Sequence, residues 1–217
     1  MYLNPKTAIN EGWVKFPEWM EEEFQLKCVQ PNAIDITLDR AFALAPHSNF
    51  VLSEDDKRMR ESYEIKPISS YSYAAYQKSL QSLEASFAIP PGVVDGMSDF
   101  RVNVPEGVAA FIIVRSTLNR NGLFITSGLF DSGYNGNAGF ALHNRGPVAY
   151  IAPHTRVAQL VFVKSEDSGI LYAGGYNHTE GTHWSESDSE EAIVEEVQQP
   201  ELVKITPKTN PKTKSKK

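Results

Sequence analysis

The chain has 217 residues, 41% hydrophobic and 22% charged, the proportions of a soluble globular protein long enough to bury one substantial core. Its formal net charge of −6 argues against broad, sequence-independent nucleic-acid binding, which needs a basic surface, but leaves room for a small basic pocket. A single cysteine, Cys28, excludes an intrachain disulfide framework and a Cys-based zinc site, and reads as a small buried hydrophobe. No apolar run reaches the roughly 18 residues that span a bilayer. The start, MYLNPKTAINEGW, lacks the basic and apolar regions of a secretory signal, so the expectation is a cytoplasmic protein without membrane contact.

Residues 1–30 read as a short helical opening. PEWMEEEFQLK sets Trp19, Phe24 and Leu26 among acids, as on a surface helix with one apolar side. From Ala33, AIDITLDRAFAL alternates apolar and polar residues like a half-buried strand. Residues 53–86 lack a clear period and read as an insertion. Its KSLQSLEA stretch is the best helical turn, and Tyr71, Tyr73 and Tyr76 read as packing residues, because no basic residues interleave with them.

From Phe87 to Tyr172 the segments FAIPPG, RVNVPEG, VAAFIIV, GLFITSG, AGFALHN, VAYIAP and RVAQLVFV are rich in Val, Ile, Phe and Ala and end in turn residues. Helical periods are absent, which predicts an all-β barrel or sandwich. Beyond Ser185 an acidic half (Glu186 to Glu201) is followed by a lysine-rich half (Lys204 to Lys217). So little apolar surface predicts a disordered tail over 185–217, appended to a domain of residues 1–184.

Four segments hold the polar residues that suit a nucleotide. QPNAIDITL carries Asp35 inside a strand. VRSTLNRNG carries Arg115, Ser116 and Arg120. LFDSGYNGNAGFALHN carries Asp131, and NRGPVAYIAPHTRVAQLVF carries Arg156 and Gln159. Singly, each has an ordinary structural reading as a turn former, cap or hydrogen-bond filler. Together, Arg115 and Arg120 offer forked, charge-assisted bonds to phosphate oxygens, with Ser116 and Gln159 as further donors. A carboxylate repels a polyphosphate, so Asp131 beside one reads as a base that deprotonates water. Gly133, Gly136 and Gly139 let backbone approach a flat ligand, and Tyr134 offers a ring to a sugar or base.

In this order the segments resemble the superfamily of trimeric dUTP diphosphatases and dCTP deaminases, over roughly Gln30 to Gly181 with residues 50–90 unmatched. GLFDSGYNGN resembles G-(V/L)-I-D-x-D-Y-x-G-x, and IAPHTRVAQLVFV resembles the diphosphatase stretch P-G-x-R-I-A-Q-x-I-F. RSTLNRNG resembles R-S-(S/G)-L-x-R-x-G of the deaminase branch. QPNAIDITL and YAGGYNHTEG resemble that branch's opening, Q-P-(A/N)-S-(I/V)-D-(L/V)-x-L, and its tail, Y-x-G-x-Y-x-x-Q-x-G. The resemblance implies a distorted jelly-roll-like β-clip barrel, a homotrimer with sites at subunit interfaces, and a Mg²⁺-bound deoxynucleoside triphosphate as ligand. It implies Asp131 as the water-activating carboxylate and Tyr134 against the deoxyribose. Ser116, Gln159 and Arg115, with Arg120, would bind phosphates, and Asn137 and Tyr176 would complete the substrate-binding set. Asp35 would reach the metal through water, or serve the structure.

Deaminases of this group carry a glutamate in the strand after the turn, in a pattern like G-x-I-x-L-E-x-x-N. Counting back from Asn144 puts Ala141 there, and a methyl group cannot shuttle protons at cytosine C4. The expectation is therefore a dUTP-type pyrophosphohydrolase. A dCTP deaminase-like enzyme on a plain or modified pyrimidine, or a non-catalytic nucleotide-binding trimer, is the alternative. The sequence departs from the patterns in three ways. The segment from Arg115 to Asp131, which holds the base-reading hairpin, is short. The glycine-rich C-terminal arm of the diphosphatases is missing, leaving HTEGTH to close the site. Gly133 stands at the second aspartate of D-x-D-Y. His143 reads as structural, His154 as a turn residue, and His178 with His183 as too few ligands for zinc.

Overall fold

Asn4 accepts the backbone N–H of Lys6 and Pro5 takes the first helical position, starting helix α1 (Pro5–Asn10). The computed structural model describes residues 1–69, 85–166, 169–174 and 176, all within one unit, Met1–His183. After strand β1 (Val14–Lys15) comes α2 (Glu22–Cys28), with Glu22 and Glu23 in its first turn and Lys27 in its last, as the helix dipole favours. Phe24 packs on the core and against Trp19, but Leu26 is 68% exposed, so the apolar side is narrower than the sequence implies. Cys28 is fully buried, and burial pushes its thiol up to about 11.

The segment read as one half-buried strand is two: β2 (Ile34–Leu38) and β3 (Arg40–Leu44). All five β2 residues are buried, because Asp35 and Thr37 find polar partners inside and need no solvent face. Strand β4 (Val51–Leu52) lies just before the expected insertion, which supplies β5 (Lys57–Arg58), β6 (Ser62–Glu64) and β7 (Ile68–Ser69). Residues 70–84, with the three expected packing tyrosines and nearly all of KSLQSLEA, lie outside the described residues, as does the expected tail.

The strand-rich stretch gives β8 (Ala85–Ile89), β9 (Gly92–Asn103), β10 (Val108–Val114), β11 (Leu123–Thr126), β12 (Asn135–Asn144), β13 (Ala149–Ile151) and β14 (Thr155–Lys164). One helical turn, α3 (Ser116–Arg120), interrupts what the sequence presents as strands alone. Every described pairing is antiparallel. One sheet runs β11-β12-β9-β3-β6, with β1 also on β9. A second runs β10-β14-β2, a third β13-β8-β7, and β4-β5 is a separate hairpin. The all-β expectation holds. Phe100, Ile36, Leu160, Leu142 and Val157 are buried in one cluster, each large side chain contributing about 1.5–3 kcal/mol. Among the described residues no helix is long and apolar enough to cross a membrane.

Two bulges re-aim polar side chains and backbone groups. On β14 the register steps from Arg156↔Thr37 to Ala158↔Ile36, leaving Val157 as the extra residue. On β9 it steps from Arg101↔Asn137 to Ser98↔Ala138, leaving Asp99 and Phe100 extra. The single extra residue on β14 reverses the alternation of faces beyond it, the two on β9 preserve it, and both bulges free backbone groups from the ladder.

Candidate functional site

Asp35 pairs with Gln159 in the β14–β2 register, and Gln159 Nε2 donates to its Oδ1 at 3.1 Å. Arg156 and Gln159 are an odd number of residues apart and belong on opposite faces of a regular strand. The Val157 bulge puts them on one face, and Arg156 reaches Asp35 Oδ2 at 3.3 Å. Arg115, just past β10, pairs with the same oxygen at 3.2 Å and donates to the Arg156 carbonyl at 2.8 Å. Arg156 also donates to the Lys27 carbonyl at the end of α2 and lies over the Phe24 ring. The Asp35 side chain is 1% exposed. Burial holds its carboxyl above the usual range, opposed by the Gln159 bond and the two guanidinium charges. Three residues singled out in the sequence, Asp35, Arg115 and Gln159, thus meet, with Arg156 added. Ser116 and Arg120 stand beside them, exposed on α3.

Asp131 lies elsewhere. Phe130 bridges to Ala110, Ser132 Oγ donates to the Val108 carbonyl at 2.7 Å, and Gly133 N donates to Val104 O at 2.8 Å, fixing the turn against the start of β10. The Asp131 carboxylate is exposed and has no hydrogen bond or ion pair with any described residue. It lines a cavity of about 580 Å³ with Leu129, Ser132, Glu166, Leu171 and Tyr172. Among the described residues that line it are two carboxylates and no cation. Segment 169–174 crosses the turn, with Tyr172 N donating to Ser132 O at 2.7 Å. Gly133 permits this: its φ is +90°, and a Cβ there would lie 2.9 Å from Leu171 Cβ.

Tyr134 does not present its ring to a ligand within this chain. It is 5% exposed, packs on Phe130 and Tyr172 at 4.9 and 5.8 Å, and gives its hydroxyl to the Asn137 carbonyl at 2.8 Å. The ring fills the end of the core where β12 begins, and burial pushes its pKa up to about 12. Asn137 thus serves through its backbone oxygen. The Tyr176 ring and hydroxyl meet the ammonium of Lys57, at 5.0 and 3.2 Å.

Strand β10 separates the two groups. The Asp131 turn docks at Val108–Ala110, and Arg115 follows Val114. At about 3.3 Å per residue, roughly 20 Å lies between them. The segments that read as one site in the sequence therefore form two separate groups in a single chain. Ala141 stands on the half-exposed face of β12, opposite Thr126 on one side and Asp95 on the other. His143 bonds Thr126 Oγ1 at 3.0 Å, as a structural residue would. Among the described residues no group of three or more His, Cys, Asp or Glu side chains converges as a metal cage.

Nothing in the sequence marks a third cluster. Asp39, between β2 and β3, accepts from Thr37 Oγ1 at 2.7 Å, Ser98 Oγ at 3.2 Å and the Asp99 backbone N–H at 2.7 Å, the last freed by the β9 bulge. His154 Nδ1 meets its other oxygen at 2.8 Å, and the Trp19 ring lies 4.0 Å from the imidazole. No local pattern pairs residues so distant in sequence.

Residues 18–165, which include Asp35, Arg115, Asp131, Arg156 and Gln159, match the family model described as dCTP deaminase-like. A probable deoxyuridine 5'-triphosphate nucleotidohydrolase of Methanopyrus kandleri is 32% identical over 162 residues, 74% of this chain and 92% of the relative. A dCTP deaminase, dUMP-forming, of Sulfurihydrogenibium sp. is 29% identical over 188 residues, 84% of this chain and 94% of the relative. The crystal structure of 2'-deoxycytidine 5'-triphosphate deaminase from Agrobacterium tumefaciens has a TM-score of 0.51 at 14% identity, covering 74% of this chain and 47% of that one, a likeness of fold. Antiparallel architecture and a family match over most of the chain agree: this protein belongs to the dCTP deaminase-like family.

Proposed function

We propose that the protein is a pyrophosphohydrolase of a dUTP-type pyrimidine deoxynucleoside triphosphate, working as a homotrimer in which Asp131 of one subunit faces the Arg115–Ser116–Gln159 group of another. The observation that carries this reading is the exposed Asp131 carboxylate, which among the described residues has no partner and shares its cavity with no cation, roughly 20 Å along β10 from the basic half-site. A triphosphate needs both halves, and neighbouring copies bring them together. The free, buried Cys28 suits a reducing compartment such as the cytoplasm.

In the reaction Asp131 takes a proton from water as the water oxygen bonds to the α-phosphorus. The bond from that phosphorus to the bridging oxygen breaks, and pyrophosphate leaves with the electron pair, giving the monophosphate. Arg115, Ser116, Arg120 and Gln159 hold the phosphates, and positioning with electrostatic stabilisation supplies most of the rate. Asp35 acts by orienting Arg115 and Gln159, since both its oxygens are engaged by them and by Arg156. Mg²⁺ belongs to the substrate complex and neutralises the triphosphate, which suits an ion that keeps its waters and phosphate ligands.

One observation favours deamination as a second reading: Asp95 stands in register with Ala141, so a carboxylate lies beside the position of the lost acid. Purified protein with Mg²⁺ and a panel of deoxynucleoside triphosphates separates the readings. Pyrophosphate release supports hydrolysis, ammonia release supports deamination, and binding without either leaves a nucleotide-binding trimer.

A further inference from the structure

The insertion carries a cation to the nucleoside end of this site. Hairpin β4–β5 extends beyond the β3–β6 ladder, held by Ala45 N to Glu61 O at 2.8 Å and by Arg60 to the Ser48 carbonyl at 3.3 Å. Its four strand residues are exposed, and an isolated two-stranded hairpin is marginal on its own. Lys57 reaches back from it to Tyr176 and meets no carboxylate within ion-pair distance among the described residues. Tyr176 lies against the Asp131 turn, since a Cβ on Gly136 would sit 3.1 Å from its carbonyl and 2.7 Å from the Tyr134 hydroxyl.

This inference rests on the hydrolase reading. If Asp131 drives water onto the α-phosphorus, the β- and γ-phosphates point toward the guanidinium half-site. The nucleoside then lies on the other side of that phosphorus, along Tyr134–Asn137 toward Tyr176. Two cations flank that path: Arg101, whose Nε donates to Asn135 Oδ1 at 2.9 Å, and Lys57, which the insertion brings to Tyr176. We propose that Lys57 reads the base, its ammonium donating to the 4-carbonyl of a uracil-type pyrimidine, where cytosine has an amino group. An ammonium has three donors and no acceptor, so it complements a carbonyl and cannot accept from the amino group of cytosine. The phenol oxygen of Tyr176 takes one donor and holds the ammonium in place. A bound base displaces water from the exposed ammonium, and an analogue that offers it no acceptor leaves that donor unpaired in the complex. The insertion thereby takes over the task of the shortened segment between Arg115 and Asp131.

The test is titration of the full-length protein with Mg²⁺ and non-hydrolysable dUTP and dCTP analogues, with inorganic tripolyphosphate as a third probe. The parent should prefer the dUTP analogue. Lys57→Met should weaken that analogue about tenfold and leave the dCTP analogue and tripolyphosphate within about twofold. Lys57→Gln, which adds an acceptor, should shift preference toward the dCTP analogue. Equal weakening of all three probes would assign Lys57 to the phosphates and overturn the proposal. Unchanged affinities, or a parent without preference for uracil, would also overturn it. Because binding is the readout, absence of pyrophosphate release would count against the hydrolase reading alone. Lys57 is exposed, and an unchanged melting temperature of Lys57→Met confirms that the fold is intact.

Discussion

His154 and Asp39 meet at 2.8 Å across 115 residues of sequence, and His154 holds a left-handed backbone, φ 62°, to do so. A non-glycine residue pays about 1–2 kcal/mol for that conformation, and the diphosphatase pattern P-G-x-R has glycine at this place. The Asp39 contact and the Trp19 ring offset that cost. His154→Gly removes the strain together with both contacts and should melt below the parent. A higher melting temperature would mean that the imidazole contributes nothing. Asp39→Ala strands Thr37, Ser98 and the Asp99 N–H without an acceptor and should cost roughly 3 kcal/mol or more in urea unfolding.

Asp131→Asn keeps the size and exposure of the side chain but cannot take a proton from water. Steady-state pyrophosphate release should fall by roughly 10²–10⁴-fold while the affinity for a non-hydrolysable triphosphate stays nearly unchanged. Parental turnover in this variant would remove Asp131 from the mechanism.

Tyr134 gives a pH signature. The folded protein holds its phenolic proton to about 12, whereas the unfolded chain loses it near 10. The native state therefore binds more protons across this window, so stability falls as pH rises from about 10 through 12, by up to about 3 kcal/mol from this group. Tyr134→Phe loses the bond to the Asn137 carbonyl and should be about 1 kcal/mol less stable at pH 7. Urea unfolding at pH 7 and above pH 11 should show that deficit vanish or reverse.

Gly133→Ala meets both a positive φ and a 2.9 Å approach to Leu171 Cβ. It should cost about 2–3 kcal/mol and speed proteolysis of segment 169–174. Gly12→Ala is the control: its φ of +73° is similar but nothing lies within 4 Å, so it should show only the backbone cost, about 1 kcal/mol.

Strands such as β10 are legible in the sequence because VAAFIIV is a β-rich apolar run closed by Gly107 and Arg115, and the grouping of Arg115 with Gln159 follows from residue chemistry, while the place of Asp35 between them does not. The Val157 bulge is not legible, since one extra residue leaves no mark in the alternation of RVAQLVFV, and without it Arg156 faces away from Asp35. The full burial of β2 escapes for a similar reason: Asp35 and Thr37 look solvent-facing until their distant partners are known. Helix α3 is too short for a helical period to register. The split into two groups escapes because sequence order says nothing about which end of β10 a loop reaches. Tyr134 looks like an open ring in the sequence because its neighbours Phe130 and Tyr172 are joined to it only by folding.

The length of β10 also has a genetic consequence. In the shared pocket proposed above, damage at Asp131 and damage at Arg115 would fall on opposite walls, so two inactive variants would carry complementary lesions. Co-expressed as Asp131→Asn and Arg115→Ala, they should form mixed rings in which some pockets inherit both intact walls. Activity should reappear in the mixture and be absent from either parent alone. A gene for such a protein would show allelic complementation, and a heterozygote would retain function that neither homozygote has.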